Sequence, residues 1–251
     1  MTAPNTTPFR LAVTLLTLFA LWSLVSLGPG SVVPSPHRVG EVLSEDMASG
    51  ALTDPLLATF GRVLAALSLG VLVGAAFGGA LGLVPGLDPW LESVAAVAQP
   101  VSGLTVLTLA VLMFGTDGGA ALFAGTVWVG AVIAGKLRLG VRSLDRDLAE
   151  MAVSYRVGGA RYVRFVLVPQ LAPFFAEGAR TGLLGVWHVI VLVEFLGASH
   201  GIGARLRLGF DGADTARVLS WGLVLVAAVA AVDGGVARPL VQRVARWRHP
   251  V

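Results

Sequence analysis

The stretch LATFGRVLAALSLGVLVGAAFGGALGL, from Leu57 to Leu83, decides how the chain has to be read. It carries a single charge, Arg62. A helix crossing a hydrocarbon core about 30 Å thick needs roughly 20 predominantly apolar residues, and this run exceeds that length. Within it, Gly70, Gly74, Gly78 and Gly82 stand at every fourth position. Residues four apart share one helix face, so the glycines form a smooth groove where a second backbone can approach closely.

Five further stretches come close to or meet the same demand: approximately Phe9–Leu27, Val94–Phe114, Ala120–Gly135, Leu171–Leu196 and Val218–Val236. Six spans predict an all-α, polytopic membrane protein. The composition agrees: 55% of residues are hydrophobic and only 13% charged, against roughly a quarter charged in soluble domains. Mean hydropathy is +0.81. No polar stretch is long enough for a separate soluble domain, so residues 1–251 are expected to form a single membrane domain with its core at 55–250. The Phe9–Leu27 run is longer than the apolar part of a cleaved leader, and no small-residue cleavage site precedes Pro29. It is expected to be retained as the first span.

Charge orients the spans. The net charge is +3, Lys136 is the only lysine, and the basic residues sit between apolar blocks. That is the distribution of the positive-inside rule and not of a nucleic-acid-binding face. Residues 136–165 carry Lys136, Arg138, Arg142, Arg146, Arg156, Arg161 and Arg164 against Asp145, Asp147 and Glu150. The tail adds Arg238, Arg243, Arg246 and Arg248. Residues 28–55 hold only Arg38 against Glu41, Glu45, Asp46 and Asp54. The predicted topology therefore places 136–165 and both termini on the cytoplasmic side of an inner membrane. Residues 28–55 and the Gly-rich loop 197–216 fall outside. Charges within spans are costly and mark pairing or functional positions; here they are Arg62, Glu177, Arg180, Glu194 and Asp233, with Asp233 expected to pair or snorkel.

Two motifs fail on context. Gly130 to Lys136 fits most of the phosphate-loop pattern, but Leu137 follows where a hydroxyl must bind magnesium, and the run ends a hydrophobic span. Gly197-Ala-Ser199-His200-Gly201 fits the nucleophile-elbow pattern. The only histidine inside a span, His188, lies about three helical turns before Ser199 on the same helix, too far to activate it. There is no cysteine, the four histidines are scattered, and no metal site or cofactor is predicted.

One loop carries more information. Residues 148–169 read LAEMAVSYRVGGARYVRFVLVP. Leu148, Met151, Ala152 and Tyr155 fall on one face of a short helix. Gly158-Gly159 is expected to break it, and Pro169 to mark re-entry into the next span. On physics alone, a helix lying at the lipid headgroups accounts for it, with membrane lipid as partner.

The same residues resemble the EAA loop of bacterial ABC importer permeases, E-A-A-x-x-x-G-x9-I-x-L-P. Glu150, Ala152 and Pro169 match, and Val166 and Val168 stand at the Ile and Leu positions. Met151 replaces the first alanine, and Arg156 occupies the glycine position, with Gly158-Gly159 expected to supply the bend two residues later. Around the loop, Gly61-Arg62-Val63-Leu64, Phe114-Gly115, Pro169 to Pro173, Gly178-Ala-Arg180, Trp187 and the run from Val193 to Gly203 are similar to permeases of the nitrate/sulfonate/taurine group.

This resemblance implies a permease subunit that forms a pathway with a second copy of itself. Catalysis would belong to a separate ATP-binding cassette subunit and solute delivery to an extracytoplasmic binding protein; the chain itself would be no enzyme. It implies a coupling loop at 138–169, with Leu148, Met151 and Tyr155 as docking knobs and Glu150 and Arg156 as polar contacts. Ala152, Gly158, Gly159 and Pro169 would shape that loop. The solute would be a small anion such as a sulfonate or nitrate, or a vitamin precursor. Arg62, Trp187, His188 and Glu194 are the expected pathway-lining residues, Arg62 and Glu194 pairing at its outer mouth. The alternatives are an intramembrane serine protease using Ser199, and a transporter of another type or a membrane scaffold.

Overall fold

A computed structural model describes residues 7–28, 32–84, 86, 89, 103–116 and 118–245. Within these, the regular structure is entirely helical. The helices are α1 (Thr7–Ser26), α2 (Pro36–Ala48), α3 (Thr53–Leu83), α4 (Gly103–Phe114), α5 (Gly119–Arg142) and α6 (Arg146–Ser154). They continue as α7 (Gly159–Tyr162), α8 (Val168–Gly197), α9 (Ile202–Asp211), α10 (Thr215–Val232) and α11 (Arg238–Ala245). Single π-helical turns, Val163–Leu167 and Asp233–Ala237, join α7 to α8 and α10 to α11. Among the described residues, four stretches are long and apolar enough to cross a membrane: Thr53–Ala80, Gly119–Arg142, Gly159–Gly197 and Thr215–Val244. Ala12–Ser26 and Gly103–Phe114 are shorter apolar helices. The expected start of the third span, residues 94–102, lies outside the described residues.

The bundle is tightest where α3 meets α5. A Cβ added at Gly70 would lie 2.5 Å from Val129 Cβ, and one at Gly74 would lie 2.8 Å from both the Gly130 carbonyl and Ile133 Cβ. At Gly78 it would meet Leu137 Cβ at 2.6 Å. Three of the four glycines thus form a groove that receives α5; the surroundings of Gly82 lie outside what is described. Helix α8 closes the third side, so that Val63, Ala66, Val129, Ile133, Val186 and Ile190 are buried between the three helices. Lipid tails are as apolar as these side chains, so close packing rather than water exclusion is what favours this contact within a bilayer.

Four sequence expectations change. Helix α5 runs on to Arg142 instead of ending near Gly135, because Leu137 and Gly140 remain on its buried face while Lys136 reaches Glu177 on α8 at 2.9 Å. Pro169 does not mark the start of a span: helix runs from Gly159 to Gly197, and Pro169 sits in the first turn of α8 after the π turn. A proline is tolerated there because the π turn of Val163–Leu167 has already interrupted the regular i to i−4 ladder just ahead of it. The 28–55 segment contains α2, where Ser35 accepts the Arg38 amide at 3.3 Å and Pro36 takes a first-turn position. Val39 and Val42 of α2 pack against Ala216 and Trp22. The Gly-rich segment after α8 is likewise mostly helix, α9.

Candidate functional site

Helix α6 is short, and its ends are fixed by hydrogen bonds. The Asp145 carboxylate accepts the amides of Asp147 (2.9 Å) and Leu148 (3.4 Å), a side-chain N-cap. The Asp145 amide in turn donates to Gln170 Oε1 at 2.9 Å, which fastens the start of α6 to α8. At the other end, Arg156 has φ +51°, in the left-handed region. The Arg156 amide donates to Val153 O (2.9 Å) and the Val157 amide to Ala152 O (2.9 Å), the two bonds of a Schellman cap.

The left-handed residue of that cap is therefore Arg156, at the position where the EAA pattern has glycine. Gly158-Gly159 does not replace it: Gly158 is extended, with φ −63° and ψ 150°. Leu148, Met151, Val153 and Tyr155 are exposed, the last two 78% each. Ala152 is buried at 6% exposure and belongs to the inner face of α6. Val153 was not among the predicted knobs.

A second constellation lies near the far end of α8, about 36 Å along the helix from Gln170. Glu194 is completely buried. Its carboxylate accepts from Arg62 Nη1 (2.6 Å), from Thr59 Oγ1 (2.9 and 3.0 Å to the two oxygens) and from the Gly203 amide (3.0 Å). Thr59 Oγ1 also accepts the Ile202 amide at 2.9 Å. Arg62 Nη1 reaches the His200 carbonyl at 2.8 Å. Two glycines make the approach possible. Gly201 has φ +122°, and a Cβ there would collide with the Glu194 carboxylate; a Cβ at Gly203 would lie 2.6 Å from Glu194 Cβ.

The Gly-x-Ser-x-Gly pattern is thus a turn wrapped around a buried carboxylate, with Ser199 exposed in the turn. Beside this knot lies a cavity of about 750 Å³ lined by residues that include Asp54, Arg62, Ser199, His200 and Arg205.

Among the other predicted pathway residues, Trp187 is 2% exposed and packs against Phe60. Trp187 and Glu194 are therefore interior to this subunit, while His188 is exposed and its Nδ1 lies 3.2 Å from Leu184 O. Sequence reasoning also left Arg180 and Asp233 without named partners. They form a two-point ion pair, Nε to Oδ1 at 2.7 Å and Nη2 to Oδ2 at 2.9 Å, with Arg238 Nε a further 3.1 Å from Asp233 Oδ2.

These features can be set beside known proteins. The family described as the binding-protein-dependent transport system inner membrane component matches residues 55–245. The chain belongs to that family. Members are permeases of ABC transport systems, and this permease is 27% identical over 246 residues to the taurine transport system permease protein TauC of Escherichia coli, covering 96% of this chain and 89% of the other. It is 30% identical to the putative aliphatic sulfonates transport permease protein SsuC of the same bacterium, over 78% of this chain and 74% of the other. It is 27% identical to the riboflavin transport system permease protein RibX of Chloroflexus aurantiacus, over 82% and 78%. The fold of the permease is also that of a chain in the inward-facing MetNI methionine ABC transporter, with TM-score 0.64 and 19% identity over 74% of this chain and 92% of that one. The protein is accordingly a multi-pass inner-membrane permease subunit of an ABC importer.

Proposed function

We propose that this permease couples to a separate ATP-binding cassette subunit through the exposed face of α6, and that ATP hydrolysis takes place in that partner. The observation that supports this most is a helix capped at both ends that still leaves Leu148, Met151, Val153 and Tyr155 in the open. A short helix with exposed apolar knobs fits helix-in-groove recognition by a partner. Glu150 and Arg156 flank the knobs as polar contacts. Ala152, Gly158, Gly159 and Pro169 shape the segment that carries them.

The basic residues around α6 and the tail support, by the positive-inside rule, a cytoplasmic position for this end and for both termini. The Arg62–Glu194 end then faces outward and receives solute from an extracytoplasmic binding protein. A second copy of the chain completes the pathway, and lipid surrounds the pair. Exposed His188 is the residue retained here as pathway-lining, while buried Trp187, Glu194 and Thr59 hold the wall. The solute is a small molecule of the kinds for which relatives are named: taurine, aliphatic sulfonates, nitrate or riboflavin.

Co-purification with the cognate ATPase tests the docking face. Met151→Asp and Tyr155→Asp should each abolish the complex while the permease remains folded. Full retention of both binding and transport by the two variants would overturn the assignment.

A further inference from the structure

The arginines near the outer end differ in one respect. Arg62 is neutralised by Glu194 at 2.6 Å, Arg207 lies 3.9 Å from Asp211, and Arg217 lies 3.7 Å from Asp214. Arg205 alone among these four has no carboxylate within ion-pair distance among the described residues. Its guanidinium instead lies over the ring of buried Trp221, 5.8 Å from the centroid. It is also, with Arg62, one of the two arginines lining the 750 Å³ cavity. A half-buried guanidinium held against an aromatic face presents a planar fork of donors, and such a fork suits an oxyanion. Asp54, the carboxylate on the same cavity, is exposed in the first turn of α3, where the helix dipole already favours it.

We propose that this outer cavity is an entry site for a small oxyanion, with Arg205 as its contact residue, Trp221 as the platform beneath it, and the neutralised Arg62–Glu194 pair as the adjoining wall. The inference rests on the permease orientation proposed above and narrows the solute to one with a sulfonate-, nitrate- or carboxylate-type group. Because Arg62 is already satisfied by Glu194, Arg205 is the guanidinium left to contact an oxyanion, with the Asp54 carboxylate on the same lining. Asp54 limits the positive charge the site offers, which suits a monoanion better than a polyanion.

Trp221 supplies the readout. The probe is ethanesulfonate, titrated into purified permease in phosphatidylcholine nanodiscs, with choline gluconate at equal ionic strength as control. The Trp221 signal is the emission difference between wild type and Trp221→Phe. Ethanesulfonate should change it saturably and choline gluconate should not. Arg205→Gln should weaken the apparent affinity at least tenfold, with Arg205→Lys intermediate and the thermal midpoint unchanged in both. A lipid phosphate offers the same chemistry, so the titration is repeated with phosphatidylglycerol in the disc. An Arg205-dependent change produced by that lipid and not by ethanesulfonate would make the site a headgroup contact and overturn the proposal. So would the absence of a saturable change, or equal affinity in Arg205→Gln. ATPase co-purification, run on the same preparations, keeps this failure separate from failure of the transport reading.

Discussion

Arg62 donates from α3 to the fully buried carboxylate of Glu194 on α8 across 2.6 Å, and the same nitrogen holds the His200 carbonyl. One guanidinium thereby ties the second span to the turn that begins α9. Thr59 and the Gly203 amide complete the shell around Glu194. Removing one partner of a buried pair leaves the other charge uncompensated, which typically costs about 3–5 kcal/mol.

The first prediction follows from that asymmetry. Arg62 keeps some solvent contact, so Arg62→Ala should destabilise by roughly 3 kcal/mol, the lower end of that range. Glu194→Gln keeps the shape and one of the two accepting oxygens, and the Arg62 it leaves unpaired has solvent contact, whereas Arg62→Ala strands a fully buried carboxylate; Glu194→Gln should therefore cost less. Thermal unfolding in detergent measures both. If Arg62→Ala melts with the wild type, the pair is not what joins α3 to α8.

Glycine packing gives a second prediction with an internal control. A methyl on Gly74 meets the Gly130 carbonyl and Ile133, both at 2.8 Å, whereas one on Gly79 meets nothing within 4 Å. Gly74→Ala should therefore cost about 1–3 kcal/mol through overpacking. Gly79→Ala should be neutral, or stabilising by up to about 1 kcal/mol from helix propensity. Equal thermal midpoints for the two variants would show that the groove does not set the α3–α5 distance.

The contrast between these sites explains what the sequence could show. Gly70, Gly74 and Gly78 announce a groove because a helix turns 3.6 residues at a time, so spacing alone places them on one face. The stripe of Leu148, Met151 and Tyr155 was legible for the same reason. The pairing of Glu194 with Arg62 was legible as two opposite charges near the outer ends of their spans, and the structure has it; the complete burial of Glu194 was not, because it depends on Thr59 from a distant helix and on the Gly203 amide. Helix α2 carried a legible signal, Ser35 before Pro36, which the prolines of the surrounding segment masked.

Arg156 was hardest to place, because the residue that must turn left-handed is chosen by where the α6 cap closes and not by the presence of glycine nearby. This gives a third prediction. A non-glycine residue in the left-handed region costs roughly 1–2 kcal/mol relative to its right-handed form. Arg156→Gly should relieve part of that, stabilising the end of α6 by about 1 kcal/mol. Arg156→Val should destabilise it, since a β-branched side chain tolerates that backbone worst. Amide exchange at Val157, whose N–H closes the cap on Ala152 O, reads the effect directly. Slower exchange in Arg156→Gly and faster exchange in Arg156→Val are expected; the reverse order would mean that the cap does not govern this turn.

The last prediction concerns Asp233, which serves two arginines at once. Arg180 binds it through two nitrogens and Arg238 through one, at the π turn where α10 passes into α11. Removing Asp233 leaves both arginines without their carboxylate, and both lie on stretches long and apolar enough to cross a membrane, whereas removing Arg180 still leaves the carboxylate paired with Arg238. Asp233→Ala should therefore lower the thermal midpoint more than Arg180→Ala. The double variant should be no worse than Asp233→Ala alone, because the second substitution removes a charge that the first had left unpaired. Strictly additive losses in this cycle would show that the two residues do not stabilise each other across α8 and α10. Asp233→Asn separates charge from shape: it keeps one accepting oxygen of the two, and should fall between the wild type and Asp233→Ala.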